Sequence, residues 1–169
     1  MKKLMVCIGV LVMGVVAYAL AASSDVQKDE AAITALEHRY TAAFNDKNVN
    51  DIMANYVAGE SLFVFDVTPP RQHIGWADYK KDWEDLFAAF PGPILLEMTD
   101  LKITVVGPQA YGHNIQSGFF TRRDGSKLDL VVRVTDVYRK MNGRWLIVQE
   151  HVSVPVDVDT GKPDLSSKP

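Results

Sequence analysis

Four polar side chains stand where the sequence pattern otherwise places apolar ones: Tyr40, Asp66, Asp136 and Glu150. Asp136 and Glu150 belong to Lys127–Pro155, KLDLVVRVTDVYRKMNGRWLIVQEHVSVP, two strand-like runs about Asn142-Gly143 and so a strong hairpin signal. Side chains alternate faces along a strand. On the first run Val132, Val134, Asp136 and Tyr138 share a face. On the second, Leu146, Val148, Glu150 and Val152 share one face, and Trp145, Ile147, Gln149, His151 and Ser153 the other. The more apolar faces carry the two acids, so the pattern that predicts burial also buries two carboxyls, and local rules tend to be broken at functional sites. Carboxyls in unlike surroundings can divide proton-transfer work. A desolvated one keeps its proton and can donate to an oxyanion; a solvated one loses it and can act as base. Asp136, among Val132, Val134 and Val148, is expected to be the neutral one. Asp66, ending the apolar run Ser61–Phe65 beside a loop, is expected to be solvated and ionised.

Each of these residues also has a plainer reading. Tyr40 fits a core tyrosine whose hydroxyl finds a backbone partner, and Asp66 a strand-end turn former. Asp136 and Glu150 could pair with Arg133, Arg139 or Arg144, or face solvent if the sheet is inverted. The hairpin register bears on this. A two-residue turn pairs Met141 with Arg144 and sets the two apolar faces on opposite sides. A three-residue loop with Gly143 as bulge residue pairs Lys140 with Arg144 and brings them together. A one-residue slip flips every side chain, so burial decides, and the three-residue loop is expected.

The elements that must position these groups follow in chain order. Ser24 or Asp25 can cap a helix, and from Glu30 to Asn45 apolar residues at Ile33, Leu36, Tyr40, Ala43 and Phe44 keep helical spacing. Asn50 or Asp51 can cap a second, short helix, Ile52–Tyr56. Val67–Ile74, with Pro69-Pro70, reads as a loop. A third helix is expected over Trp76–Phe90, with Tyr79, Trp83, Leu86 and Phe87 on one side, and Pro91-Gly92-Pro93 ends it. The rest is strand: Ile94–Val106, interrupted at Thr99-Asp100, then Ala110–Arg122, then the hairpin. Asp157–Pro169 reads as a loosely ordered polar tail. Three helices and a strand, followed by four long strands, predict an α+β arrangement: helices packed on one face of a strongly curved antiparallel sheet, enclosing a cone. An apolar cone is where a small ligand would sit.

Lys2-Lys3 followed by an apolar run from Leu4 to Leu20 and small residues through Ala21 has the layout of a secretory signal peptide over residues 1–21. Residues 22–156 then form one domain and 157–169 the tail. The single cysteine, Cys7, would leave with the signal, so no disulfide, thiol nucleophile or thiolate metal site is expected in the mature chain, which should be periplasmic or secreted. Without Lys2 and Lys3 the 18 basic residues fall to 16 against 21 acidic ones. That balance argues against nucleic acid and anionic membranes as partners.

No phosphate loop, dinucleotide fingerprint, zinc motif or serine elbow occurs, and His38, His73, His113 and His151 are widely scattered, so neither metal nor cofactor is expected. The chain does resemble the ketosteroid isomerase-like, or SnoaL-like, group of the NTF2-like superfamily over roughly Ala31 to Val156. The likeness rests on His38-Arg39-Tyr40-Thr41-Ala42-Ala43-Phe44-Asn45, Tyr56, Val64-Phe65-Asp66, Pro69-Pro70, Gly75, Asp136-Val137-Tyr138-Arg139 and the Asn142-Gly143 turn. It implies the cone-like α+β fold. It also implies that Tyr40 matches the hydroxyl donor of the isomerases, Asp66 their general base and Asp136 their protonated second donor. Val67 follows Asp66 where those enzymes carry proline, Val152 replaces an aromatic residue, and Glu150 is an acid their pattern does not call for.

Three functions are compatible with these residues. The favoured one is a binding module for a small apolar molecule, its pocket lined by Tyr56, Trp83, Val134, Val148, Glu150 and Val152. The second is a cofactor-independent isomerase or cyclase moving a proton beside a carbonyl, with Asp66 as base and Tyr40 and Asp136 as donors. The third is a dimerisation or scaffold domain using the outer sheet face, Arg133, Trp145, Ile147 and His151. A homodimer through that face is compatible with all three.

Overall fold

A computed structural model of the chain describes residues 25–166; the signal-like segment lies outside them. Helix α1 covers residues 25–45. Its Ile33, Leu36, Glu37, Tyr40, Ala43 and Phe44 are all buried, at the three-and-four spacing that puts side chains on one helical face. It ends in a turn at Lys47, whose φ is 53°. Two side chains there bind distant backbone. The Asn45 amide donates to Leu96 O at 3.0 Å and accepts from Leu96 N at 2.7 Å, and Lys47 Nζ donates to the carbonyls of Phe90 and Gly92. Helix α2 is Val49–Met53, earlier than expected: the cap is Asn48, which accepts from Asp51 N. The expected second helix ran through Tyr56, but residues 55–57 instead run alongside Ile147, giving Val57 N to Ile147 O and Ile147 N to Asn55 O, 2.9 Å each.

Strand β1 is Phe63–Phe65 and β2 is His73–Ile74, a short return within the expected loop; the Pro69-Pro70 bond between them is cis. Helix α3 is Trp76–Ala89, and β3 (Ile94–Val106), β4 (Gln109–Thr121), β5 (Lys127–Met141) and β6 (Arg144–Ser153) follow. The six strands form one sheet in the order β2-β1-β6-β5-β4-β3. The fold is α+β as expected, but the sheet is mixed. β1 runs parallel to β6, which a long intervening chain permits, while every other pairing is antiparallel. β3 carries a bulge between Thr99 and Lys102, with Asp100 at φ 56°, at the predicted interruption.

The hairpin register differs from expectation in an instructive way. Met141 pairs with Arg144, so Asn142-Gly143 is a two-residue turn, with φ 51° and 78°. Tyr138 then faces Ile147, but Val137 faces Gln149, leaving Val148 as an extra residue. Before this bulge Trp145 and Ile147 point inward, at 6% and 1% exposure; after it Glu150 does, at 2%. The bulge, not the turn, sets Asp136 opposite Glu150. Leu146 and Val148 are accordingly half-buried. Of the four residues expected on the outer sheet face, only Arg133 and His151 are exposed. The tail is tied down in its described part: Val131 N donates to Leu165 O at 2.8 Å, filling the β5 edge beyond the end of β6.

Candidate active site: an aromatic cavity above a sealed acid cluster

The helices and the concave sheet face enclose two adjoining polar sites. The outer one is a cavity of about 350 Å³. α1 contributes Tyr40 and Phe44, α3 contributes Tyr79, Trp83, Leu86 and Phe90 at its end, and the sheet contributes Leu96, Gln116, Phe120, Leu128, Leu130, Val132 and Val152. Asp66, Val67 and Thr68, with Asp82 and Asp85 of α3, form the rest of the lining. Aromatic edges fix the walls: Trp83 meets Phe44 at 5.5 Å and Tyr40 at 6.2 Å between ring centroids, and Phe44 meets Phe120 at 5.8 Å. Such edge-to-face pairs add to the stabilisation from burial. Gly118 lies in the wall because a Cβ there would stand 1.9 Å from Leu95 O; β3 and β4 come too close for any side chain.

The inner site is closed. Glu37 of α1, Asp136 and Tyr138 of β5, and Glu150 of β6 are each 2% exposed or less. Glu150 accepts from Tyr56 Oη at 2.8 Å and from Tyr79 Oη at 2.6 Å. Tyr138 Oη donates to Glu37 Oε1 at 2.8 Å and lies 3.4 Å from Asp136 Oδ2. Gly112 leaves room for that hydroxyl: a Cβ at 112 would stand 3.1 Å from it. No amide or hydroxyl donor of the described residues reaches Asp136 Oδ1. Its carboxyl hydrogen-bonds Glu150 instead, and a bond between two carboxyls needs a proton. Burial, then the charges of Glu37 and Glu150, raise Asp136 well above the carboxylate range, so Asp136 holds that proton. Burial pushes Glu37 and Glu150 up to about 7, opposed by the tyrosine hydroxyls each accepts.

Tyr40 and Asp66 therefore reach the cavity; Asp136 does not. Burial raises its carboxyl, the direction its apolar setting predicts, and it faces Glu150 across the hairpin rather than the cavity. Among the expected lining residues, Trp83 and Val152 line the cavity. Tyr56 and Glu150 are sealed in the cluster, Val134 is buried in the sheet at 2% exposure, and Val148 is spent on the bulge. Neither acid of the hairpin pairs with Arg133, Arg139 or Arg144. Tyr40 is 4% exposed, and its hydroxyl makes no hydrogen bond among the described residues. Asp66 is half-buried rather than freely solvated. Desolvation raises its carboxyl, against the N–H groups of Val67 and Thr68 that it accepts.

Sequence reasoning missed several polar residues. Glu37 was legible, since it falls on the Ile33–Tyr40–Phe44 face. So were Asn114 and Gln116, four and two residues before Gly118 on an alternating strand. His73, 3% exposed, sits with Nδ1 3.2 Å from Asp78 Oδ2 and Nε2 3.8 Å from Asp82 Oδ1. It lies in β2, a two-residue strand too short for periodicity to assign a face. A second groove, of about 510 Å³, follows another face of α1 past Ala32, Ala35, Arg39 and Ala42 to Arg144 and Trp145, and contains none of the predicted site residues. Among the described residues no group of three or more histidine, cysteine or acidic side chains is placed to hold a metal, and no helix is long and apolar enough to cross a membrane.

The family model of the SnoaL-like domain matches residues 33–157. An NTF2-like protein of unknown function from Pseudomonas putida KT2440 is 27% identical, with a TM-score of 0.76 over 85% of this chain and 98% of that one. An NTF2-like superfamily protein from Salmonella enterica serovar Typhimurium is 20% identical (TM-score 0.70, 84% of this chain and 99% of that one). A ketosteroid isomerase-like protein from Erwinia carotovora is 18% identical (TM-score 0.63, 73% and 93%). The last two speak to the fold alone. No curated protein matches the chain.

Proposed function

The chain belongs to the SnoaL-like family, and on that premise we propose that its cavity binds a small organic molecule with a largely apolar body. The observation that carries this reading is the cavity itself: about 350 Å³, walled by aromatic and aliphatic side chains, with a few polar groups at defined points. Calorimetric titration of the protein with a panel of apolar ketones and alcohols tests it. Saturable binding of at least one compound, weakened by filling the cavity with Val132→Phe, is expected; a panel-wide lack of binding overturns it.

A second reading has its own observation. Asp66 and Tyr40 line one cavity, with a carboxyl raised by desolvation and a hydroxyl free of intramolecular bonds. A bound ketone could lose an α-proton to Asp66 while Tyr40 donates to the enolate oxygen. Of the two donors the sequence suggested, only Tyr40 is available. Exchange of ketone α-protons into deuterated water should be catalysed by the protein and reduced at least about a hundredfold by Asp66→Asn. Exchange unchanged in that variant removes Asp66 as base.

Export and self-association belong to the same proposal. Removal of residues 1–21 predicts a mature N-terminus near Ala22, read by mass spectrometry of protein from the producing cell. Pairing through the exposed outer sheet face about Arg133 and His151 predicts a dimer by sedimentation, weakened by Arg133→Glu.

A further inference from the structure

The charged residues on the cavity wall are all of one sign. Asp66, Asp82 and Asp85 line it, and no lysine, arginine or histidine does. Asp85 is ion-paired outside the cavity, to Lys81. Neither Asp66 nor Asp82 has a lysine or arginine partner among the described residues. Asp66 accepts backbone N–H groups only. Asp82, with 22% of its side chain exposed, makes no hydrogen bond among the described residues, and its nearest basic atom is His73 Nε2 at 3.8 Å, too far for one. Burial raises both carboxyls; the charge of Asp82 adds to it at Asp66, those of Asp85 and Asp78 add to it at Asp82, and His73 opposes it at each. Two neighbouring carboxylates at the edge of a low-dielectric cavity carry an electrostatic cost that a bound cation would relieve.

A second, independent group points to a ligand. Trp83 lines the cavity at 5% exposure, and its indole N–H has no acceptor. A buried N–H left unpaired is uncommon, and an acceptor atom on a ligand would satisfy it. Tyr40, Phe44 and Tyr79 pack against the Trp83 ring, and with Phe120 they add aromatic and apolar area to the same wall.

Resting on the small-molecule reading above, we propose that the cavity selects organic cations: a protonated amine on an apolar, preferably aromatic body that carries an ether or hydroxyl oxygen, with the ammonium toward Asp66 and Asp82, the oxygen accepting from the Trp83 N–H and the body against Phe44. An N–H-bearing ammonium suits two carboxylates better than a quaternary one, since it can donate to both. Anions of the same shape are excluded by the same pair.

The test uses three probes of similar shape that all carry an ether oxygen: naphthyloxyethylamine, naphthyloxyethanol and naphthyloxyacetate, titrated by calorimetry into the full mature protein. The amine should bind about tenfold or more tightly than the alcohol, and the carboxylate most weakly. In Asp82→Asn the amine-to-alcohol ratio should fall towards one. In the wild-type protein the same ratio should fall as salt is raised, which needs no variant to fold. Alcohol binding equal to or tighter than the amine overturns the cation preference and leaves the cavity reading standing. So does a ratio indifferent to both Asp82→Asn and salt. If none of the three binds, the cavity reading fails, and the preference with it.

Discussion

The cavity and the acid cluster lie side by side inside one sheet, share Tyr79, and obey opposite rules. In the cluster almost every polar atom has a partner: two tyrosines and a protonated Asp136 serve Glu150, and a third tyrosine serves Glu37. In the cavity three polar groups have no hydrogen-bond partner among the described residues: the Tyr40 hydroxyl, the Trp83 indole N–H and the Asp82 carboxyl. A satisfied buried network holds a structure together, while unsatisfied groups at a cavity wall wait for a ligand. Chemical type does not separate the two regions, since both are built from acids and tyrosines. What separates them is whether the fold or something outside it completes the hydrogen bonds.

That contrast can be broken most sharply at Glu150. Glu150→Ala leaves two tyrosine hydroxyls and the Asp136 proton unserved in a buried site. It should cost about 3–5 kcal/mol in urea unfolding, whereas Asp66→Asn at the cavity should stay within about 1 kcal/mol. Equal costs would erase the distinction.

The pH dependence comes next. Glu37 and Glu150 titrate near 4.5 when unfolded and near 7 in the fold. Between those values the folded chain holds the extra protons, so raising pH through the window disfavours folding. Stability from this source is full below about pH 4.5 and lost by just above 7, a change on the order of a few kcal/mol. Urea midpoints should therefore be higher at about pH 5 than at about pH 8, and Glu37→Gln should flatten the slope. A midpoint that rises with pH would place the ionised forms, not the protonated ones, in the native cluster.

Two tyrosine variants sharpen the contrast further. Tyr79→Phe removes a 2.6 Å bond to a buried carboxylate and should cost about 1.5–3 kcal/mol. Tyr40→Phe removes a hydroxyl with no intramolecular bond and should change stability by less than about 0.5 kcal/mol. Its effect should appear in ketone exchange or ligand affinity instead.

How much of this the sequence disclosed depends on how regular each segment is. α1 was readable because three-and-four spacing selects one face, and that face named Tyr40 correctly. Asp136 was readable as a buried carboxyl because the strand alternates around it. Its partner was not, because the rule that pairs β5 with β6 changes at Val148, and no single alternation describes both sides of a bulge. The three-residue loop was a way of reaching the right facing of Asp136 and Glu150 through the wrong residue. The cavity mouth resisted for another reason. Asp82 and His73 are brought together by the middle of α3 and a two-residue strand, contacts that no local periodicity encodes. The parallel pairing of β1 with β6, between distant segments of the chain, was equally invisible.

Val148 also marks a change of parity. N-terminal to it the odd-numbered positions, Trp145 and Ile147, are the ones that cannot tolerate a polar residue; C-terminal to it the even-numbered ones, Glu150 and Val152, face the interior. The strand thus carries two reading frames joined by one spare residue. A deletion at Val148 would remove only the spare residue and leave Glu150 and Val152 inward by plain alternation, whereas a deletion between Gln149 and Val152 would send the residues after it to the wrong face. A deletion of one residue near the turn should be repaired by inserting one residue between the turn and Val148, and by no substitution elsewhere on the strand.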